Sequence, residues 1–112
     1  ENVELVQAYT RMYNLVKDVT FIGVNESLLT VKAEQDLFAV ATIAAQYSLA
    51  AWLDSDYDTI VALPNTLVPT INKFFEGVMV MDKDEAIKNN RLQLLRLAYN
   101  VMAIIGDISA LK

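Results

Sequence analysis

One segment largely determines the architecture of this chain: residues 33–53, which read AEQDLFAVATIAAQYSLAAWL. The segment is rich in alanine, apolar on most of its helical circumference, and uncharged between Asp36 and Asp54. That uncharged run of about seventeen residues is shorter than the roughly twenty that span a bilayer, and it contains Thr42, Gln46 and Ser48. The pattern therefore predicts a core helix surrounded by other helices rather than a membrane span.

A first amphipathic helix is predicted before this core helix and ends near residues 17–18. Its apolar residues recur at helical spacing: Leu5, Tyr9, Met12, Tyr13 and Val16. A loop follows, with Gly23 and the turn-prone residues 25–27. After the core helix, Asp54 and Asp56 are candidate caps for a short helical segment over residues 57–63.

A further helix is predicted up to Gly77, which we expect to act as a left-handed cap. Pro64 suits the first turn of this helix, because a backbone N–H at that position would form no hydrogen bond within the helix. Pro69 is less compatible with a helix, so it predicts either a kink or a helix that begins nearer Val68.

The last helix is predicted over residues 85–105, with Asp82 or Asp84 as its candidate cap and Gly106 at its end. Ile108 and Leu111 are expected to fold back onto the bundle. The length of 112 residues fits one domain, and we find no internal repeat or low-complexity segment. The sequence thus predicts one all-α domain over residues 1–112, a bundle of four or five helices.

Side chains that carry chemistry are few. The chain has no cysteine and no histidine, which removes thiolate nucleophiles, the commonest metal ligand and the commonest general base. Asp54, Asp56 and Asp58 alternate as in a calcium loop, but Thr59 stands where a glycine is needed and the bidentate glutamate is missing. No nucleophile motif and no glycine-rich phosphate loop is present. We therefore predict no catalytic residue and no metal site.

A polar stripe on the first helix is the main candidate for binding. Arg11, Asn14 and Lys17 are spaced by three, so they project from neighbouring turns of one face. Two cations and an amide on a rigid face can meet adjacent phosphates or a base edge, although a solvated face explains the same spacing. The net charge of −5 argues against non-specific binding to phosphate backbones.

Two other features are interpreted as structural. Arg91 interrupts an apolar row on the last helix, which predicts a buried partner for a carboxylate such as Glu76 or Asp84. The dense apolar patch at residues 74–81 is interpreted as core filling, and its members include Phe74, Phe75, Met79 and Met81.

Several segments resemble the C-terminus of the bacterial glycyl-tRNA synthetase beta subunit. Residues 74–85 read FFEGVMVMDKDE where that family has approximately F-F-D-x-V-M-V-M-x-x-D-E, and residues 90–95 read NRLQLL for N-R-L-x-L-L. Residues 107–109, DIS, match an A-D-I-S near the end of the family's chain. Upstream, residues 11–15 resemble R-x-x-N-I and residues 24–29 resemble V-[ND]-x-x-L-L. Between residues 30 and 70 the resemblance is one of pattern more than of letters.

The resemblance implies an all-helical anticodon-binding domain, similar to the DALR domain of arginyl-tRNA synthetase. That family is a class II heterotetrameric glycine–tRNA ligase, whose alpha subunit holds glycine and ATP with magnesium and whose beta subunit recognises tRNA. The implied partners are the anticodon arm of glycine tRNA, the rest of the beta subunit and the alpha subunit. The implied domain has no cofactor and performs no chemistry itself. A cytoplasmic location without membrane or DNA partners is expected, and Glu1 at the first position suggests a domain of a longer chain.

Six residues are candidate RNA contacts: Arg11, Asn14, Lys17, Lys73, Lys88 and Arg96. The resemblance supports Arg11 and Asn14, and positive charge motivates the other four. Two alternatives stay open. One is a helical protein–protein interaction module that uses Met79 and Met81 as adaptable contacts. The other is the anticodon domain of an arginyl-type synthetase, which would share the same fold.

Overall fold

The computed structural model describes residues 3–111, with the side chains of Tyr57, Val61 and residues 106–111 outside that description. Over this range the chain forms five α-helices and one 3-10 turn, and no strand. In chain order these are α1 (Val3–Val16), the 3-10 turn (Glu26–Leu28), α2 (Lys32–Leu53), α3 (Tyr57–Ala62), α4 (Pro64–Gly77) and α5 (Glu85–Leu111). The predicted all-α bundle of four or five helices is confirmed.

Helix α2 packs against α3, α4 and α5 through a buried stripe at alternating spacings of three and four residues. The stripe consists of Glu34, Leu37, Ala41, Ala44, Ser48 and Ala51. Such spacing buries one side of a helix and leaves the other side open. The prediction that α2 is buried on most of its circumference is wrong for its second half, where Ile43, Tyr47, Leu49 and Leu53 are exposed. Helix α1, which could have covered this side, packs against α4 and α5 instead.

By length and composition alone, α2 is the one helix of the described chain that could cross a membrane. The core helix of a bundle meets the same criteria. Here α2 contacts three other helices, and its buried Glu34 forms an ion pair with Arg91 of α5.

Helix α1 runs antiparallel to α5. The rings of Tyr9 and Tyr99 stack with centroids 4.8 Å apart, and the Tyr9 hydroxyl donates a hydrogen bond to that of Tyr99 (3.0 Å). At the other end of α1, Arg96 Nη1 donates to the carbonyl oxygen of Val16 at 3.0 Å. The same carbonyl accepts from the backbone N–H of Val19 at 2.8 Å, so Arg96 adds a second donor at the C-terminus of α1.

Two side-chain amides of α5 hold the loop between α1 and the 3-10 turn. Gln93 Oε1 accepts from the backbone N–H groups of residues 22 and 23, at 2.8 and 3.1 Å. Asn90 bonds to Asn25 in both directions, since its Oδ1 accepts from the backbone N–H (2.7 Å) and its Nδ2 donates to the carbonyl (3.1 Å). Gly23 has a φ of 134°, a conformation that favours glycine and lets the loop turn toward α5.

Helix α4 begins at Pro64 and continues through Pro69, so the prediction of a start nearer Val68 is wrong. Pro64 is the first residue of the helix, where its missing N–H removes no intrahelical hydrogen bond, whereas Pro69 lies beyond the first four residues and removes one. Gly77 ends the helix as predicted, but without a left-handed conformation. The next residue, Val78, takes an extended conformation and its N–H donates to the carbonyl of Phe74 (2.9 Å).

Helix α5 continues through Gly106 to Leu111, so the prediction that Gly106 ends it is wrong. A glycine inside a helix costs only about 1 kcal/mol relative to alanine, and a helix of 27 residues tolerates that cost. The predicted packing of the Ile108 and Leu111 side chains lies outside the described residues.

Candidate nucleic-acid interface

A cleft opens between α1 and the connector, which we define as residues 78–84 between α4 and α5. The cleft has a volume of about 480 Å³, and its lining combines polar residues of α1 with apolar residues of the connector. Arg11 and Asn14 lie on the α1 side, and Phe75, Met79 and Met81 line the opposite side. The two α1 residues are those that the sequence resemblance supports as RNA contacts.

At the start of the connector, where Val78 takes an extended conformation, buried and exposed side chains alternate. Val78 and Val80 are buried, whereas Met79 and Met81 are 71% and 59% exposed. The interpretation of both methionines as core filling is therefore wrong, because the segment is not helical and exposes alternate residues. Phe74 does fill the core, and Phe75 is half-buried at its edge.

Arg11 is oriented by the aromatic ring of Phe75. Its guanidinium carbon lies 4.0 Å from the centroid of that ring, a cation–π contact. A guanidinium carries five N–H donors, and a cation–π contact does not use them as hydrogen bonds to other protein groups. Arg11 is exposed, so those donors are available to a phosphate or to the edge of a base.

Arg91 fixes the connector to the bundle. Its Nε donates to Glu34 Oε2 at 2.7 Å, and its Nη1 donates to the carbonyl oxygen of Met79 at 2.6 Å and to Asp82 Oδ2 at 3.4 Å. Arg91 is buried and pairs with carboxylates, but these are Glu34 and Asp82 rather than the predicted Glu76 or Asp84.

Asp84 serves instead as a cap of α5. Its Oδ1 accepts from the backbone N–H groups of residues 86 and 87, at 2.9 and 3.3 Å. Because Asp84 caps the helix while Asp82 bonds to Arg91, both ends of this short acidic segment are anchored. The connector thus reaches α5 in a defined conformation.

The other predicted RNA contacts lie outside the cleft lining. Lys17 is exposed directly after α1, and Lys73 lines a separate depression between α2 and α4. Lys88 pairs with Glu85 at 3.3 Å. Arg96 is half-buried, bonds to the carbonyl of Val16 and lies 5.3 Å from the Tyr99 ring centroid. These contacts give Arg96 a part in holding α1, and its contact with RNA stays a prediction.

Sequence reasoning missed three residues that shape this end of the bundle: Glu34, Asn90 and Gln93. Glu34 also closes the N-terminus of α2, since its Oε1 accepts from the backbone N–H of Val31 at 3.0 Å. A glutamate at a buried position of an otherwise apolar stripe is the signal that could have identified it. The two amides bond to backbone groups some 65 to 73 residues away in sequence, which no local pattern reveals.

The acidic cluster after α2 serves as a helix cap. Asp56 accepts hydrogen bonds from the hydroxyl (2.6 Å) and the backbone N–H (3.2 Å) of Thr59. Both bonds lower the pKa of Asp56 below its ordinary value of 3.8, and the hydroxyl bond has the larger effect. Within the described part of the chain, no group of three acidic side chains is placed to hold a metal ion.

The fold and the cleft define a helical binding domain. The chain belongs to the DALR anticodon binding domain family, which matches residues 5–109. The expected family of anticodon-binding domains is thereby confirmed. No solved structure matches the chain.

Similar proteins are glycine–tRNA ligase beta subunits. The chain is 37% identical over 113 aligned residues to that of Neisseria meningitidis serogroup B, and 38% identical over 112 to that of Clostridioides difficile strain 630. Each alignment covers at least 97% of this chain but 16% of the relative, so the chain spans about one sixth of their length. A shorter Neisseria gonorrhoeae sequence of the same description is 36% identical and is covered over 90% of its length.

Proposed function

We propose that this chain is the anticodon-binding domain of a longer glycine–tRNA ligase beta subunit and that its cleft contacts the anticodon arm of glycine tRNA. Family membership and the named relatives support this proposal. In the proposed enzyme, glycine, ATP and magnesium bind to the alpha subunit, and this domain holds no cofactor. It acts in the cytoplasm, and neither DNA nor a membrane is a partner.

One observation carries the assignment to the cleft: hydrogen-bonding side chains and exposed apolar side chains face each other across it. Single-stranded RNA loops are recognised by donors to base edges and phosphates together with surfaces on which unstacked bases pack. Arg11 and Asn14 supply the donors, and Met79 and Met81 supply polarisable apolar surface. Arg11 is held by Phe75 before RNA arrives, so less side-chain freedom is lost on binding.

The negative charge of the chain sets the expected strength of binding. With a net charge of −5, the domain attracts RNA through a few cations rather than through a basic surface. If Arg11 and Lys17 are the cations that meet phosphates, log K should fall with log salt with a slope of about −1.4. Binding by the isolated chain is therefore weak, and the rest of the synthetase supplies most of the affinity.

A titration of the isotope-labelled chain with the anticodon stem-loop of glycine tRNA tests this function. Amide shifts should change at residues 11–14 and 79–81, and Arg11→Ala should weaken binding by about tenfold, the loss of one charge-assisted contact. Lys32→Ala is the matched control, because it removes one charge from an exposed residue outside the cleft. Equal effects of both variants, or no shifts in the cleft, would overturn the assignment. If the chain binds the stem-loop of an arginine tRNA more tightly than that of glycine tRNA, the arginyl-type domain is indicated instead.

The exposed methionines favour one second candidate, a surface that docks another protein. In that case Met79→Ser and Met81→Ser would abolish protein binding and leave stem-loop binding unchanged. Under the RNA assignment, the same substitutions weaken stem-loop binding because the bases lose the apolar side of the cleft.

A further inference from the structure

Among the described residues, a second surface of the molecule is apolar and exposed to solvent. It consists of Leu49, Trp52 and Leu53 of α2 with Ile104 of α5, which we call the α2–α5 apolar face. Leu53 and Leu49 are 74% and 62% exposed, and the other two are at least 40% exposed. A groove of about 330 Å³ runs through this face between the two helices, lined by Ala45, Ser48, Leu49, Trp52, Val101 and Ile104.

The charge distribution excludes RNA from this face. No charged residue occurs in α2 between Asp36 and Asp54, or in α5 between Arg96 and Asp107. The charges that follow α2 are acidic, since Asp54 stands at its end and two further aspartates follow. Phosphates would gain no counterion release here and would be repelled by the aspartates. The fitting occupant is a protein surface with an apolar centre and Lys or Arg at its rim.

The lengths of the relatives identify where such a surface comes from. The chain covers 16% of the Neisseria meningitidis beta subunit, so about five sixths of that polypeptide lies outside the matched region. We propose that the α2–α5 apolar face docks on the remainder of the beta subunit, an inference that rests on the proposed function. A large apolar face on a domain of a multidomain chain is typical of an interface.

The position of the face is compatible with RNA binding at the cleft. Arg91, which holds the connector, and Ile104 are thirteen positions apart on α5, or about 20 Å along the helix axis. Helices α2 and α5 run parallel, because Arg91 pairs with Glu34 near the start of α2 while Val101 and Ile104 meet residues 45–52 near its end. Docking at the far end of both helices therefore leaves the cleft open to the anticodon arm.

Hydrogen exchange in the absence of RNA tests the docking. Residues 43–53 and 97–105 should exchange more slowly in the full-length beta subunit that carries this domain than in the 112-residue chain. Leu49→Lys in the full-length subunit should abolish that difference. Ile22→Lys is the matched control, because it places the same charge on an apolar residue that is 86% exposed outside the face, and it should keep the difference.

Identical exchange in both contexts, or protection that survives Leu49→Lys, would overturn the proposal. So would a dimer of the 112-residue chain in sedimentation velocity that Leu49→Lys abolishes, because the occupant would then be a second copy. Flotation of the chain with phosphatidylcholine vesicles would assign the face to a lipid surface. No RNA enters these measurements, so their failure is distinguishable from failure of the stem-loop titration.

Discussion

The substitution Arg91→Met tests the physical basis of the cleft most directly. The Arg91 side chain is 9% exposed and that of Glu34 is fully buried, so the ion pair between them is shielded from water. Methionine has a similar length and fills much of the same volume, but it carries no charge and no donor. The variant therefore leaves the Glu34 carboxylate buried without its cation.

The expected cost follows from that arrangement. Removing one partner of a buried ion pair costs about 3–5 kcal/mol, because the remaining charge is neither solvated nor paired. A domain of this size has a total stability of about 5–15 kcal/mol and loses roughly 4 °C of melting temperature per kcal/mol. Arg91→Met should therefore lower the melting temperature by about 12–20 °C.

Urea denaturation followed by circular dichroism measures the loss, and a double variant supplies the control. Glu34→Gln removes the unpaired charge but keeps an oxygen that can accept from the Val31 N–H. The double variant Glu34→Gln, Arg91→Met should therefore be more stable than Arg91→Met alone by about 1–3 kcal/mol. A loss below about 1 kcal/mol in the single variant, or no recovery in the double variant, would refute the reasoning.

Binding of the anticodon stem-loop separates stability from positioning. Both variants lack the bond from Arg91 to the carbonyl of Met79, which holds the connector in place. At a temperature where each variant is fully folded, both should bind the stem-loop more weakly than the parent chain. Restored binding in the double variant would show that Arg91 acts on stability alone.

Three further outcomes are expected. Phe74→Ala, which truncates a fully buried ring, should cost about 3–5 kcal/mol in urea denaturation, and a loss below about 1 kcal/mol would contradict the packing. Asn90→Ala should speed amide exchange in the loop around Asn25 while costing only about 1–2 kcal/mol in global stability; unchanged exchange would show that the two bonds do not hold the loop. Thr59→Val should raise the pKa of Asp56 toward 3.8, measured by carboxyl NMR titration, because the hydroxyl bond is the largest cause of the lowered pKa. The folded-state pKa of Asp56 lies below its unfolded value, so its hydrogen bonds stabilise the fold above about pH 4 and that contribution is lost as the pH falls through the folded-state pKa. An Asp56 pKa that does not move in Thr59→Val would contradict this cause.

The helices could be predicted because they depend on local patterns. The period of apolar residues placed α1, α2 and α5, and caps such as Asp56 marked where a helix begins. The predictions of helix ends and of burial are wrong where a local sequence signal conflicts with the packing of the neighbouring helices. Gly106 is a common helix end, but α5 continues through it. The exposure of the second half of α2 could not be predicted, because apolar composition does not reveal which neighbours are present.

Less of the candidate site than of the fold could be predicted from the sequence. Spacing placed Arg11 and Asn14 on one helix face, but the opposite side of the cleft comes from residues more than sixty positions away. The uniformly apolar letters of residues 78–81 predict core filling for both methionines, and only the non-helical backbone of the connector separates buried Val78 and Val80 from exposed Met79 and Met81. Long-range hydrogen bonds such as those of Arg91 fix that backbone, and no local pattern encodes them.

Three of the segments that resemble the beta-subunit family, residues 24–29, 74–85 and 90–95, meet around the start of α5. Asn25 in the loop bonds to Asn90, and Arg91 in turn bonds to Met79 and Asp82 of the connector. A loop or connector needs particular donors and acceptors to hold its backbone, so its sequence is specified residue by residue. Residues 30–70 are mostly helical and, apart from side chains such as Glu34 and Asp56, they need apolar residues at the right period, which many sequences supply. The matching letters in residues 24–29, 74–85 and 90–95 are therefore concentrated in the loop, in the connector and in the part of α5 that holds them, because irregular backbone there depends on specific side chains.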